Sequence, residues 1–407
     1  MEHMRSYLLL LLLAVHLGCL AQADSLITIS GVVKDRQTGR EMPFASVTAG
    51  KVGTVTNEDG AFTLKVRRGT KHVVVSSVGY RSQRVAVAAD AITVRMVPSA
   101  VLLSEVIIRA DDPEAVLRAA IAKIPDNYSK EAERFGGFYR ETVQKRRRFI
   151  DVAEAVIDMY KTDYSRLYIS RDGVKIAKGR HLMTSKAADT LGVKIKGGPV
   201  LPIMLDIVKN KDFLFSDESL DDYIIGMSAP EKADDRLQYV VTLTPKQGRD
   251  YALFFGRVFV DQERLSITRV ELSLDVSDRD KATRFMLVKK PAGLRFRPRE
   301  LTLEVNYKTQ DNVTRIQYIR NVFRFNCDWK RRLFHSPYSV VSEMVVTDRG
   351  EGLAQPIPRK EKFSQWEALY DKIEYFEDPD FWGDYNIIEP TESLEKAVCK
   401  LRKMRKG

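Results

Sequence analysis

The stretch from Ile27 to Met96 constrains the fold more tightly than any other part of the chain. Short β-branched runs alternate there with turn clusters, at the spacing expected of a small antiparallel sandwich. Asp35 to Gly39 supplies the first turn, Asn57 to Gly60 the second and Arg68 to Thr70 the third. Gly39 and Gly60 fall where a hairpin asks for positive φ, which glycine adopts without steric cost. Phe62, Leu64 and Val66 alternate, as do Val73 and Val75, so each run can bury one face and wet the other. Val78, Gly79 and Tyr80 break the period, and the bulky Tyr80 can cover the sandwich edge.

Several motifs then agree in order: Ile29 to Asp35, Thr38 with Gly39, Pro43 to Val47, Gly53 to Phe62 and Ser76 to Tyr80. Together they resemble the carboxypeptidase-regulatory-like domain. The resemblance implies a transthyretin-like, seven-stranded β-sandwich of the kind found at the start of Gram-negative envelope proteins. It implies a fold and no reaction.

Met1 to Ala23 reads as a secretory signal: Arg5 in the n-region, an apolar run from Leu8 to Val15, and Ala21-Gln22-Ala23 before Asp24. The run is shorter than the roughly 20 residues that span a bilayer, so a retained anchor is the weaker alternative. Cys19 after Gly18 raises lipidation, but His16 and Leu17 are poor lipobox residues. The expected location is therefore exported, periplasmic or outer-membrane associated. With 44% apolar and 30% charged residues over 407 positions, the chain can pack two or three domains. Only Cys327 and Cys399 follow the signal, and a single disulfide and two thiols both fit.

Leu103 to Arg109 is similar to the segment that follows this domain in starch-utilisation-type TonB-dependent receptors, where it can serve as a TonB box. A receptor would need a barrel of some 22 strands downstream, and the chain is too short for one, so a last strand or linker is the plainer reading. Asp112-Pro113-Glu114 opens a helix, with Asp112 as cap; Val116 or Leu117, Ala120, Ile121 and Ile124 share a face, and Pro125 is expected to stop it.

From Phe135 to Val346 the chain is strand-rich. The candidates are Phe135–Val143, Leu167–Ile176, Tyr223–Met227, Leu237–Leu243, Leu253–Val260, Ile267–Val276, Arg284–Val288, Glu300–Tyr307, Arg315–Phe325 and Ser339–Val346. Leu272 and Leu274 alternate with Glu271 and Asp275, and Leu303 and Val305 with Glu304, which is the pattern of an antiparallel sheet with one wet face. Lys289 to Gly293 reads as a hairpin turn, Pro202 to Val208 as a short apolar helix, and Ala153 to Tyr160 as either helix or strand. Tyr251 to Ile267 is loosely similar to a strand–turn–strand signature of periplasmic lipoprotein-carrier-like folds. That likeness favours a curved sheet or half-barrel able to hold an apolar ligand.

In the last part, Trp366, Tyr370, Ile373 and Phe376 lie at helical spacing and Asp380 to Tyr385 forms an aromatic turn. These aromatics are expected to be a lid on the sheet. Glu392 to Met404 reads as a terminal helix capped by Thr391, with Leu394, Val398 and Leu401 on one face. The fold class is mainly β, in five parts: signal 1–23, sandwich 24–98, linker and helix 99–130, antiparallel β domain 131–350, and C-terminal lid 351–407.

Chemistry-bearing motifs are nearly absent. His72, His181 and His335 each stand alone in sequence, and no H-E-x-x-H, G-x-S-x-G, P-loop, G-x-G-x-x-G or C-x-x-C occurs. Asp221 with Asp222, and Asp234 with Asp235, are the carboxylate pairs in loops. No catalytic, cofactor-binding or metal-binding residue is expected. The basic clusters Lys145–Arg148, Lys330–Arg332 and Lys396–Lys406 dominate a formal net charge of +11. An export signal takes nucleic acid out of reach, which leaves solvated surface or attraction to anionic lipid and lipopolysaccharide headgroups. Three functional readings stand: a non-enzymatic binding or assembly module with an envelope protein or outer-membrane component as partner; a carrier of a lipid or other apolar ligand; and a hydrolase with dispersed catalytic residues. The carrier needs an apolar cavity of at least ~300 Å³.

Overall fold

The computed structural model describes residues 25–88, 91–99, 112–165, 171–184, 198–287, 293–329, 336–350, 354–369, 372 and 381–406. The signal, Leu103 to Arg109, Lys289 to Ala292, Lys330 to Arg332, His335, Tyr370, Ile373 and Phe376 lie outside the described residues. The chain is mainly β, with 51% strand and 16% helix.

Seven strands build the N-terminal sandwich: β1 (Leu26–Asp35), β2 (Ser46–Ala49), β3 (Val52–Val55), β4 (Ala61–Arg67), β5 (His72–Ser76), β6 (Gln83–Ala86) and β7 (Ala91–Met96). They pair as β4-β1-β7 and β3-β2-β5-β6, and the alternating residues Ile29, Val33, Phe62, Leu64, Val66, Val73 and Val75 fill the space between. One pair departs from the expected antiparallel pattern, since β1 and β7 run parallel. The expected turn glycines Gly39 and Gly60 both sit at φ +70. Tyr80 closes the edge by donating to Asp35 Oδ2 at 2.7 Å, and that bond pushes its own pKa up to about 12.

Two short helices follow, α1 (Pro113–Ala122) and α2 (Ile124–Asn127). Asp112 caps α1 as expected, accepting from Glu114 N. Pro125 does not end the helical path. It lies within the first two positions of α2, where its missing N–H costs nothing.

Ten strands then form one open antiparallel sheet: β8 (Glu133–Lys145), β9 (Arg148–Lys161), β10 (Gly173–Met183), β11 (Tyr223–Ala233), β12 (Arg236–Pro245), β13 (Phe254–Asp261), β14 (Ile267–Leu274), β15 (Leu294–Gln310), β16 (Val313–Trp329) and β17 (Ser336–Arg349). The order β10-β9-β8-β17-β16-β15-β14-β13-β12-β11 joins two meanders, so the chain crosses from one edge to the other between β10 and β11. Ala153 to Tyr160 is strand, inside β9. Within the expected strand Arg284–Val288, Arg284 to Met286 is helical instead. Asp278 Oδ1 accepts from the amides of Asp280 and Lys281 and starts α5 (Arg279–Met286), a cap that outweighs the apolar run behind it. The crossover carries α3 (Leu201–Met204) and α4 (Asp217–Leu220); the helix expected from Pro202 to Val208 is reduced to α3 and turns.

One face of the sheet is the main core. Val116, Leu117 and Ala120 of α1, Ile124 of α2, and Ile203, Ile207, Val208, Phe215 and Leu220 of the crossover pack into one cluster with the strands. α6 (Glu392–Lys406) closes the β9–β10 end: Leu394, Val398 and Leu401 meet Val152 and Leu182, and Thr391 Oγ1 accepts from Leu394 N as the expected cap. The lid expectation holds for Phe381 and Trp382, which are buried against Phe138 and Val156, and fails for Trp366, which is 70% exposed.

Candidate functional site

Cross-strand register puts an apolar row and a charged row side by side across the whole sheet. The apolar row runs Met227, Val241, Val258, Val270, Val305, Ile319, Met344, Tyr139, Ala155, Gly179 from β11 to β10. One residue along each strand, on the opposite face, lies Gly226, Thr242, Arg257, Glu271, Glu304, Arg320, Glu343, Arg140, Glu154, Arg180. A two-residue side-chain period forces this separation of faces.

The charges in the row pair with each other. Arg257 meets Glu271 at 2.6 Å, Arg140 meets Glu343 at 3.3 Å and Glu154 at 2.6 Å, and Arg180 meets Glu154 at 2.6 Å. Glu271 and Glu304 stand opposite each other, an unfavourable like-charge pair, and Arg269 bridges them at 2.6 and 3.1 Å. Burial alone would raise the Glu154 pKa, yet Arg140 and Arg180 hold it below the usual carboxylate range.

Burial falls along the row. At the β8–β10 end, residues 381–392 pass over it: Arg140 Nη2 donates to Ile388 O at 2.7 Å and the Arg180 guanidinium lies 5.2 Å from the Trp382 ring centroid. The same strap holds the sandwich. Asn386 pairs both amide atoms with the backbone of Lys65, Thr54 Oγ1 donates to Ile387 O and Asn57 Nδ2 donates to Pro390 O. In the middle, the sandwich sits directly on the sheet. Arg320 Nη2 donates to Glu58 Oε1 at 2.9 Å, its guanidinium covers Phe44, and Phe44 stacks on Tyr318. Gln317 and Lys308 donate to Ser46 and Ser76, and Gly79 N donates to Lys232 O at 2.7 Å. The break at Gly79 is thus an interdomain contact. At the β11–β14 end the row is open.

Two cavities lie on this polar face. A cleft of about 460 Å³ separates the sandwich residues Phe44, Ser46 and Ser76 from Gln238, Thr268, Lys308 and Gln317 of the sheet. An open groove of about 750 Å³ follows, lined by Thr242, Thr244, Phe255, Arg257, Glu271, Ser273, Thr302, Glu304 and Arg320. The Nε atoms of Arg269 and Arg320 are buried beside it without a hydrogen-bond partner. Beside the groove runs edge strand β11, with Ile224 60% exposed; on β13, Phe255 is 48% exposed.

The residues singled out in sequence are scattered. His72 contacts Arg84 Nη2, and Asp222 binds Arg249 and Tyr251. Asp234 pairs with Lys308, while Asp235 accepts from Ser82 N. Cys327 is buried, Cys399 is exposed on α6, and no disulfide joins them.

Two polar constellations had no sequence signal, because their members come from separate strands. His181 lies 3.0 Å from Asp151, next to Glu141, which is buried, accepts from Tyr139 OH and has its pKa pushed up to about 7 by desolvation. Deeper, Asp206 on the crossover accepts from Lys161 at 2.7 Å and from Tyr164 and Tyr307 at 2.8 Å, while Lys209 donates to Asp172 and Thr162. This second set is buried, apart from the half-buried Thr162, and pins the crossover to β9 and β15. None of the cavities described is lined by the first set, the second touches the cleft of about 460 Å³ only through Tyr307, and among the described residues no group of His, Cys, Asp or Glu is arranged to hold a metal ion.

Residues 29–108 match the family model of the CarboxypepD_reg-like domain. No curated protein matches the chain. Among solved structures, a putative outer membrane lipoprotein-sorting protein domain from Vibrio parahaemolyticus aligns at 13% identity and a TM-score of 0.26, over 60% of this chain and 96% of its own. A LolA superfamily protein from Nitrosomonas europaea aligns at 14% identity and a TM-score of 0.21, over 63% and 99%. Neither alignment is close enough to carry a statement about ligand or partner.

Proposed function

We propose that this protein is a non-enzymatic binding or assembly module of the cell envelope, exported to the periplasmic face of the outer membrane, with a protein partner seated in the groove on the polar face. The observation that carries the reading is the open end of the charged row. Arg257, Glu271, Glu304 and Arg320 line a groove that also carries the exposed Phe255 of β13, beside the sheet edge β11 that presents Ile224. An edge strand offers unpaired backbone groups to an extended segment, and the groove offers both signs of charge to its side chains. The sandwich serves the assembly from within, since strap and sheet hold it in place and leave the groove open.

Carriage of an apolar ligand needs a cavity against the apolar face. Helices and crossover fill that face, and none of the cavities described lies there. Hydrolysis needs a nucleophile activated by a base in a cleft, whereas Glu271 and Glu304 beside the groove hydroxyls are engaged by Arg257 and Arg269. Native mass spectrometry of the protein purified from its own envelope, with lipid extraction, separates the readings. A retained protein that cross-links to a photoreactive residue at position 255 supports the module. A stoichiometric lipid with no protein retained overturns it in favour of the carrier.

A further inference from the structure

The β8–β9 hairpin and the paired ends of β15 and β16 carry a strongly basic charge distribution. Residues 144–149 carry Lys145, Arg146, Arg147 and Arg148 with no acid, and residues 294–300 carry Arg295, Arg297 and Arg299 against Glu300. Residues 324–329 add Arg324 and Asp328. Sheet pairing gathers these three stretches at one end of the polar face, because Arg297 stands opposite Asn326, Asn326 opposite Pro337, and Ser339 opposite Gln144.

Three features go beyond a solvated basic surface. Arg146 and Arg147 form a two-residue hairpin turn at φ +49 and +64, a left-handed conformation that glycine and asparagine favour and arginine does not. The chain therefore holds two exposed arginines at a loop tip at a conformational cost. Arg147, Arg299 and Arg324 also line a cavity of about 390 Å³ whose other polar lining is Gln144, Asn326, Tyr338 and Ser339, with no acid among them. Within that set Glu300 neutralises only Arg324, at 2.6 Å. Finally, Phe296, Phe323, Phe325 and Tyr338 form a contiguous aromatic cluster in the strands beneath, with ring centroids 4.6 to 6.0 Å apart and Phe325 stacked on Tyr338. The arginines are presented on a packed aromatic base.

We propose that this tip docks the protein onto an anionic membrane surface, with lipid phosphates seated between Arg147 and Arg299. Guanidinium forks match phosphate oxygens in pairs, and each basic group at such a surface strengthens binding about fivefold. The tip borders the groove along β15 and β16, where Glu300 and Arg324 lie two and four residues from Thr302 and Arg320, but the two share no lining residue, so separate variants test this inference apart from the protein-binding reading.

The test is co-sedimentation of the protein beginning at Asp24 with vesicles of phosphatidylcholine alone, or with about one third phosphatidylglycerol, at low and high salt. Binding only to the anionic vesicles, weakened by salt, is expected. Arg147→Gln with Arg299→Gln should weaken it roughly 30-fold, while Lys396→Gln with Lys400→Gln on α6 removes the same charge and should leave it intact. Unchanged binding by the tip variant overturns the proposal, as does equal loss in both variants, which would reduce the effect to net charge. Tight binding of free glycerol phosphate without vesicle binding also overturns it, because the site would then serve a soluble phosphate. An unchanged unfolding midpoint in each variant confirms that folding is not the cause.

Discussion

Arg140 Nε donates to Glu154 Oε1 at 2.6 Å across the β8–β9 pair, and the two side chains are 4% and 0% exposed. Arg140 also reaches Glu343 on β17 and Ile388 O on the strap, so a single guanidinium joins three strands to the segment that fastens the sandwich. The pairing is the buried end of the charged row whose open end forms the groove.

Arg140→Met leaves Glu154 buried with Arg180 as its remaining cation and Glu343 without its Arg140 pairing. Breaking a buried pair in this way costs about 3–5 kcal/mol, more than the pair's own net contribution, because a charge stays desolvated. Urea unfolding should show a lower midpoint, corresponding to an unfolding free energy smaller by that amount. A loss below about 1 kcal/mol would mean that water reaches Glu154 and that the strap does not seal this end.

The sequence carried the period but not the register. Glu271 and Glu304 alternate visibly with leucines, so a sheet with one wet face could be read directly. That Arg257, Glu271, Glu304, Arg320, Glu343, Arg140, Glu154 and Arg180 fall in one line depends on pairings between residues far apart in the chain, above all β17 with β8. The strap was equally hidden. Asn386 looks like an ordinary loop residue, and its role appears only where it meets Lys65. The same holds for Glu141 and His181, which share a site only because β9 lies between β8 and β10.

Glu141 gives the protein a pH-dependent stability of calculable sign. Desolvation pushes its pKa from 4.5 to about 7, helped by Asp151 and opposed by the bond from Tyr139 and by His181. The folded state therefore binds more protons than the unfolded chain between these values, and stability falls as pH rises through that window. Glu141→Gln, which mimics the protonated form, should match the parent at pH 4.5 and exceed it by roughly 3 kcal/mol at pH 8. Unfolding midpoints at the two pH values decide the matter. A difference that does not change with pH would mean the carboxyl is solvated.

Asn386 offers a test of the strap that spares both cores. Its side chain donates to Lys65 O at 3.0 Å and accepts from Lys65 N at 2.6 Å, covering the edge of β4 as another strand would. Asn386→Ala removes both bonds at a cost of about 1–2 kcal/mol. Limited proteolysis should then cut the strap faster while the sandwich itself stays resistant. An unchanged cleavage rate would show that Thr54 and Asn57 suffice to hold it.

Gly256 bears on the groove itself. It stands between Leu243 and Leu272 on the apolar face, yet an added Cβ would lie 1.9 Å from the carbonyl oxygen of Glu271 and 3.0 Å from Leu272 Cα. Both are backbone atoms, so no side chain can swing aside, and β13 must move away from β14. That displacement separates Arg257 from Glu271, the pair at the open end of the charged row. Gly256→Ala should therefore lower stability by about 1–3 kcal/mol, the range for overpacking a tight site, and should weaken partner capture by the groove at temperatures where the fold persists. Stability lost with capture unchanged would place the partner elsewhere on the protein, since the groove's geometry would have been altered without consequence.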